Sequence, residues 1–319
     1  MKFPKTKNKI TKSLNFRDAM KSSEISCTEN NNFSSAENSS EFSNIKNILV
    51  GVPFVNGLGK TKGCEFSPKK IISLLPEIWI NEYGVEIKSA AEIFDLKMIN
   101  LFSGNIEQGS KTIYSESKKI FSKLKIEKID GKKAIFFGGD HSISFPIANA
   151  FNQSFKNSGF IILDAHADCM EPMKEPTHEE WLRGLIEKGN INPKQILLIG
   201  PRNIYPTELE FIKKLKIKYF TTKEYSENKI KVEKEIFIFM KKFKQLYLSL
   251  DIDIIDPVFA PGTSYEEPCG LTSREALSLF QKIISNKNIK AIDINEINSL
   301  NDQENKCIKL GAKFLAELA

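Results

Sequence analysis

The sequence has little cysteine and no long hydrophobic run, and both absences exclude whole classes of protein. Its five cysteines are odd in number and scattered without a CxxC pair, which indicates a reducing, cytoplasmic location rather than a disulfide framework. No apolar run approaches the ~20 residues of a membrane-spanning helix. No apolar core follows the basic N-terminus, so we expect neither a membrane protein nor a secreted one.

Charge of either sign is only slightly in excess. The formal net charge is +6, and residues 1–46 contribute eight basic side chains against five acidic ones. The remaining chain is therefore only mildly basic, without the strong positive excess typical of proteins that bind nucleic acid. We expect no nucleic-acid partner.

The first 45 residues differ in composition from the rest. They are rich in Lys, Ser and Asn, and such a segment buries too little apolar surface to offset the entropy lost on ordering. We predict a mobile tail over 1–45 and a single folded domain over 46–319. A transit peptide stays open as an alternative because residues 1–17 lack acids, although they are rich in Lys rather than Arg.

From residue 46 onward, short apolar runs alternate with stretches of helical spacing. The runs predict a strand that runs into a turn over 48–53, and further strands at 134–137, 160–163, 195–199, 245–250 and 291–294. The spacing predicts helices at 112–124, 178–188, 206–216, 231–243, 273–284 and 305–318. Because the strands are continuously apolar, the pattern predicts an α/β fold whose mainly parallel sheet is covered by helices on both faces.

The few histidines of this chain lie among carboxylates, directly after predicted strands. The sequence holds three histidines in all. The candidate metal ligands are His141, Asp164, His166, Asp168, Asp251 and Asp253. Ligands gather beyond the carboxyl ends of parallel strands, and alternate residues of an extended segment point the same way.

This ligand set predicts a site for two divalent ions. Two histidines and four carboxylates exceed the needs of one structural zinc, but suit a pair of ions that lowers the pKa of a shared water. Taken alone, Asp251 with Asp253 could be a surface or capping feature, and the segment around His141 could be a turn. The combination on successive strand ends favours the metal site.

Three segments, 138–142, 160–168 and 249–275, resemble the signatures of the ureohydrolase family, which includes arginase, agmatinase and formimidoylglutamase. The resemblance covers about residues 46–319. It implies a three-layer α/β/α fold of the arginase type and two Mn²⁺ ions per subunit. It also implies hydrolysis of a small cationic guanidino substrate with release of urea, in a homotrimer or homohexamer.

The resemblance also assigns roles to the candidate residues. It places His141, Asp164, Asp168 and Asp251 on one ion and His166, Asp164, Asp251 and Asp253 on the other. Asp168 would also orient the attacking water, and Glu296 would grip the guanidinium through two parallel hydrogen bonds. The competing interpretation of Glu296 is a solvated acid at a strand end.

His178 stands ten residues after Asp168, where agmatinases place a catalytic histidine. The resemblance implies that it contacts the substrate and passes a proton to the leaving amine. The alternative is an ordinary position at the start of a helix. The acids of the surrounding loop, 170–180, could receive the distal ammonium of agmatine, or could be the acidic first turn of that helix.

The substrate-selecting positions depart from the arginase pattern. Met170 replaces an asparagine, Tyr205 replaces an acid, and Tyr265 is a bulky residue in a loop that usually reads Gly-Thr-Pro. We therefore favour an agmatinase-like enzyme of polyamine metabolism. The alternatives are an arginase or another amidino or formimino hydrolase, a non-catalytic family member, and a single-zinc enzyme resembling deacetylases.

Overall fold

A computed structural model describes residues 47–101, 105–127 and 131–319. The predicted tail over 1–45, and with it the question of a transit peptide, lies outside the described residues. In the part of the chain that is described, no helix is long and apolar enough to cross a membrane.

The centre of the protein is one eight-stranded sheet in which every paired strand is parallel, in the order β2-β1-β3-β8-β7-β4-β5-β6. The strands are β1 Asn47–Gly51, β2 Asp95–Met98, β3 Lys133–Phe137, β4 Ser158–Leu163, β5 Ile196–Gly200, β6 Lys218–Thr221, β7 Gln245–Asp251 and β8 Ile289–Asn295. The predicted parallel sheet is confirmed. Its inner strands are buried on both faces, which is why they read as continuous apolar runs.

Helices cover both faces of the sheet. They are α1 Ser67–Leu74, α2 Ala90–Ile93, α3 Ile106–Glu127, α4 Ser144–Ser154, α5 Trp181–Glu187, α6 Pro206–Leu215, α7 Thr222–Glu227, α8 Lys229–Met240, α9 Ser273–Ile284 and α10 Lys306–Ala316. Buried hydrophobic side chains of the sheet form one core cluster with those of α3, α4, α5 and α6. They form a second cluster with those of α1, α7, α8, α9 and α10. These two separate cores make the three-layer α/β/α fold that the resemblance implies.

The strand order reverses in the middle of the sheet. Along the chain, β4, β5 and β6 are added one after another toward one edge of the sheet, and β7 and β8 are then added in the opposite direction, between β4 and β3. Such a reversal opens a crevice beyond the carboxyl ends of the central strands. Every candidate ligand lies at or just beyond the carboxyl end of β3, β4 or β7, so the topology brings them to this crevice.

Several elements differ from the sequence-based predictions. The edge strands β2 and β6 were not predicted, because their four-residue sequences are only half-buried and carry lysine. The helix predicted from residue 178 begins only at Trp181, and His178, Glu179 and Glu180 form a turn before it. The interpretation of the loop acids as a helical first turn is therefore wrong.

Candidate metal centre

Three carboxylates surround one nitrogen of His141, which follows β3 in a short 3-10 turn. The oxygens nearest to His141 Nδ1 are Asp164 Oδ2 at 3.1 Å, Asp168 Oδ2 at 2.9 Å and Asp251 Oδ2 at 3.0 Å. All four side chains are buried. Burial alone would lower the pKa of His141, but the three carboxylates raise it well above its usual range.

A second group lies beside the first and shares Asp164. His166 Nδ1 is 2.8 Å from Asp253 Oδ2 and 3.6 Å from Asp164 Oδ1. Backbone amides fix both acids, since Asp253 Oδ1 accepts from Ala165 N and Asp164 Oδ1 accepts from His166 N. Asp164 therefore presents one oxygen to each histidine, as a carboxylate shared by two ions would.

The imidazole nitrogens and carboxylate oxygens of this arrangement are suitable ligands for two cations. His141, Asp164 and Asp168 offer one set of converging donor atoms, and Asp164, His166 and Asp253 offer another. Two of these atoms, His141 Nδ1 and Asp164 Oδ2, are buried without any hydrogen-bond partner. Orphaned buried polar atoms are costly, and a cation between them would satisfy both.

The structure places Asp251 with the first group only. Its Oδ2 faces His141, whereas its Oδ1 accepts the backbone N–H of Asp253 at 2.8 Å. The bridging role that the resemblance implies for Asp251 thus stays a prediction.

Polar residues behind the ligands hold them in place, and the sequence patterns did not reveal them. His141 Nε2 lies 2.9 Å from Ser249 Oγ, which in turn donates to Asp293 Oδ1 at 2.5 Å. Trp181 Nε1 donates to Asp168 Oδ2 at 2.7 Å. Ser249 precedes Asp251 by two residues in β7, so strand alternation could have identified it. Trp181 is buried in the core and touches a candidate ligand.

Asp168 and Glu296 both have left-handed backbone conformations, with φ of 49° and 59°. This region is uncommon for residues other than glycine, and surrounding bonds must hold it. The Asp168 carbonyl accepts from Leu182 N and Arg183 N at the start of α5, and Glu296 N donates to the Gly139 carbonyl. The backbone of 164–168 is therefore not simply extended, because a contact with α5 turns the chain at Asp168, yet Asp168 still joins Asp164 in the first donor group, on the side that alternation predicted.

Glu296 lies behind His141 rather than on the open surface. Its Oε1 accepts from His141 N at 2.7 Å, and its Oε2 has only the Cys64 thiol, at 3.8 Å. Burial and the charge of Asp140 raise the pKa of this carboxyl well above its usual range. The side chain is 4% exposed, so the interpretation of Glu296 as a solvated acid is wrong.

A cleft opens from the second group toward the surface. It is lined by Lys60, His166, Asp168, Met170, His178, Glu179, Asn203, Tyr205, Glu208, Tyr265 and Glu267. His178 and the three departures from the arginase pattern thus line one cleft. Among the loop acids, Glu179 lines it, whereas Glu180 is buried and accepts from Met173 N.

His178 belongs to a short hydrogen-bonded chain in this cleft. Its Nε2 lies 3.0 Å from the Tyr265 hydroxyl, which donates to Glu179 Oε1 at 3.2 Å. Because the Tyr265 hydroxyl gives its hydrogen to Glu179, it accepts a hydrogen from His178, so Nε2 carries the ring hydrogen. His178 Nδ1 is buried without a hydrogen-bond partner and keeps a free lone pair. Burial lowers the pKa of His178, which keeps the imidazole neutral near pH 7.

Comparison with known proteins now identifies the family. The model of the arginase family matches residues 45–319. The chain belongs to the arginase family. It is accordingly a metal-dependent amidinohydrolase, and the interpretations as a non-catalytic member or a single-zinc enzyme are not supported.

Relatives of this arginase-family chain carry different names. An arginase of Staphylococcus aureus (strain COL) is 30% identical over 84% of this chain and 96% of its own length. An agmatinase of Halalkalibacterium halodurans is 26% identical, covering 88% and 93%. The crystal structure of a formimidoylglutamase from Bacillus subtilis superposes with a TM-score of 0.76 at 24% identity, covering 85% of each chain.

Without metal, this arginase-family protein should lose stability as the pH rises from about 4 to 8. Burial and the charge of Asp164 raise the pKa of Asp168 to about 8, whereas an unfolded aspartate titrates near 3.9. The native metal-free state then holds a proton that the unfolded chain has released, so its free energy of unfolding falls through this window.

A bound divalent cation would replace that proton, so the difference in Tm between loaded and metal-free protein should grow from pH 5 to pH 8. Calorimetry of both forms at matched pH measures it. A difference that does not change with pH would contradict this account of the carboxylate cluster.

Proposed function

We propose that the protein hydrolyses the C–N bond of a guanidino compound with two Mn²⁺ ions, releasing urea and an amine, and that its preferred substrate resembles agmatine. The observation that carries this proposal is the pair of donor groups sharing Asp164. We also propose a homotrimer or homohexamer in the cytoplasm. The four described cysteines, all unpaired, and the membership of the family support that setting.

Each residue of the centre has a task in this reaction. When bound, the two ions would supply a nucleophilic hydroxide at neutral pH and stabilise the charge on the oxygen that attacks the guanidinium carbon. Asp168, fixed by Trp181, orients the attacking water. Glu296 Oε2, which has only a weak thiol partner, accepts hydrogen bonds from the planar guanidinium.

His178 supplies the proton that the leaving amine needs. Because Nε2 is engaged with Tyr265, the free lone pair of Nδ1 takes up the proton that the attacking water releases and hands it to the amine nitrogen. Glu179 accepts the last hydrogen bond in the series from His178 through Tyr265, and its half-exposed carboxylate lies in the cleft. That carboxylate favours a substrate with a distal ammonium group.

A second candidate substrate class is a guanidino compound with a distal carboxylate. Lys60 lines the same cleft, 5.3 Å from the centre of the Tyr265 ring, and could receive such a group. Arginine, with both an amine and a carboxylate, belongs partly to this class. Met170 and Tyr205 offer arginine no charged partner, which is why we place this substrate class second.

Agmatine and 4-guanidinobutyrate test the choice, because they have similar length and opposite distal charge. We expect urea release from agmatine with a kcat/KM at least about tenfold higher, a difference of about 1.4 kcal/mol. Glu179→Gln should reduce this preference, whereas Glu171→Gln, an exposed acid of the same loop, should not. If guanidinobutyrate is the better substrate, Lys60 rather than Glu179 binds the distal group. If neither compound releases urea, and arginine and free guanidine release none either, the proposed function is contradicted.

Replacing His178 by alanine should slow turnover and leave the metal in place. Loss of a positioned general acid typically costs about 10²- to 10⁴-fold in rate, so kcat should fall by about 10²-fold or more. Two Mn²⁺ should still bind, because His178 is not among the converging donors. Tyr265→Phe, which removes only the hydroxyl, should have a smaller effect. An unchanged kcat in His178→Ala would remove this histidine from the mechanism.

A further inference from the structure

The two ring nitrogens of His166 face different carboxylates. Nδ1 faces Asp253 and Asp164 in the second donor group. Nε2, on the opposite side of the ring, lies 3.3 Å from Glu267 Oε1. Glu267 is therefore directed at the nitrogen that cannot reach the proposed ion, and it is not itself a ligand.

We propose that Glu267 is a positioning residue for His166 and so sets the affinity of the second ion. This inference rests on the proposed dinuclear site. A ligating histidine needs its free lone pair on the nitrogen that faces the metal, so the other nitrogen must keep its hydrogen. By accepting that hydrogen from Nε2, Glu267 fixes the tautomer and the ring orientation and makes Nδ1 a better donor.

The carboxylate of Glu267 is itself held in place. Asn203 Nδ2 donates to the same Oε1 at 2.6 Å, so this oxygen is shared by the amide and the imidazole. Asn203 is fixed in turn, because its backbone N–H and that of Arg202 both donate to the carbonyl of Ala165, next to His166.

Arg202 links the loop of Glu267 to the second donor group. Its Nη2 donates to the Glu267 carbonyl and to the Asp253 carbonyl, each at 2.7 Å. One guanidinium therefore sets the spacing between the loop that carries Glu267 and the turn that carries Asp253. These bonds go to backbone atoms, so they remain when the Glu267 side chain is removed.

The two histidines are supported differently. His141 is 1% exposed and its Nε2 contacts a buried serine hydroxyl, whereas the side chains of His166 and Glu267 are 23% and 19% exposed and line the cleft. Since a partly exposed ligand has fewer packing restraints on its ring, His166 depends more on its hydrogen-bond partner. We therefore expect a Glu267 substitution to weaken one ion and spare the other.

Titration of metal-free protein with Mn²⁺, followed by calorimetry, tests the proposal. Glu267→Ala should bind one of the two ions about 10- to 100-fold less tightly, with the other unchanged. Glu267→Gln keeps an oxygen that can accept from Nε2 and should recover part of the loss. Glu266→Ala, which removes the exposed neighbouring acid, is the control and should match the wild type.

Two results have distinct meanings. If Glu267→Ala binds both ions as tightly as the wild type, Glu267 does not position His166 and the inference is overturned, while the dinuclear function stands. If the wild type binds only one ion, the proposed function itself fails. Should Glu267→Ala not fold, Asn203→Ala decides the question. Asn203→Ala removes the shortest hydrogen bond to Glu267 Oε1 and should weaken the binding of the same ion. If this variant binds both ions with wild-type affinity, the inference is overturned.

Discussion

Asp253→Ala should abolish urea release, with a loss of at least about 10³-fold. Asp253 Oδ2 is the carboxylate oxygen nearest to His166 Nδ1, so its removal leaves the second donor group with two members. The ion held there would be lost, and with it several kcal/mol of charge stabilisation in the transition state, where 1.4 kcal/mol corresponds to tenfold in rate. His141→Ala should have an equal effect through the first group.

Metal content and folding distinguish this result from simple misfolding. Asp253→Asn keeps an oxygen that accepts from Ala165 N, so it should fold normally and still lose most of the activity. Asp256→Asn lies in the same segment and alters an acid that bonds only loop amides, so it should remain active. An Asp253→Ala protein that keeps more than a tenth of the wild-type rate would contradict the role of the second group.

The second large effect is expected for Glu296→Gln, which should lower kcat/KM by about 10²-fold or more. A neutral amide loses the charge that makes hydrogen bonds to a guanidinium strong, and it presents only one acceptor oxygen. The Gln oxygen can still accept from His141 N, so the fold around the centre should be kept.

Metal binding separates the role of Glu296 from that of the ligands. Glu296→Gln should retain two Mn²⁺ per chain, unlike Asp253→Ala. Glu304→Gln, an 83% exposed acid further along the chain, is the control for loss of one negative charge. If Glu296→Gln hydrolyses the preferred substrate at the wild-type rate, the guanidinium is bound elsewhere.

The sequence predicted the central strands and the candidate ligands because both depend on local patterns. Buried parallel strands such as β4 and β7 are mostly apolar; Asp164 directly follows β4, and Asp251 is the last residue of β7. The edge strands carry no such signal. At the edge of a sheet a strand has one neighbour and a wetter surface, so β6 combines lysine, aromatic residues and threonine.

Apart from Ser249, the supporting residues could not be predicted, because they act across a large distance in sequence. His166 and Glu267 are 101 residues apart, and His178 and Tyr265 are 87 apart. Nothing in the local sequence of either partner indicates the contact. The left-handed conformation of Asp168 also depends on amides of α5, more than ten residues later. The sequence could therefore assign ligands, but not the residues that aim them.

Titration of the metal-free protein with Mn²⁺, with urea release recorded at each addition, tests the dinuclear centre most directly. Two donor groups that share Asp164 should bind two ions per chain, and activity should appear only as the second ion binds. Binding that saturates at one ion, or full activity with one ion per chain, would contradict the dinuclear centre on which the proposed reaction depends.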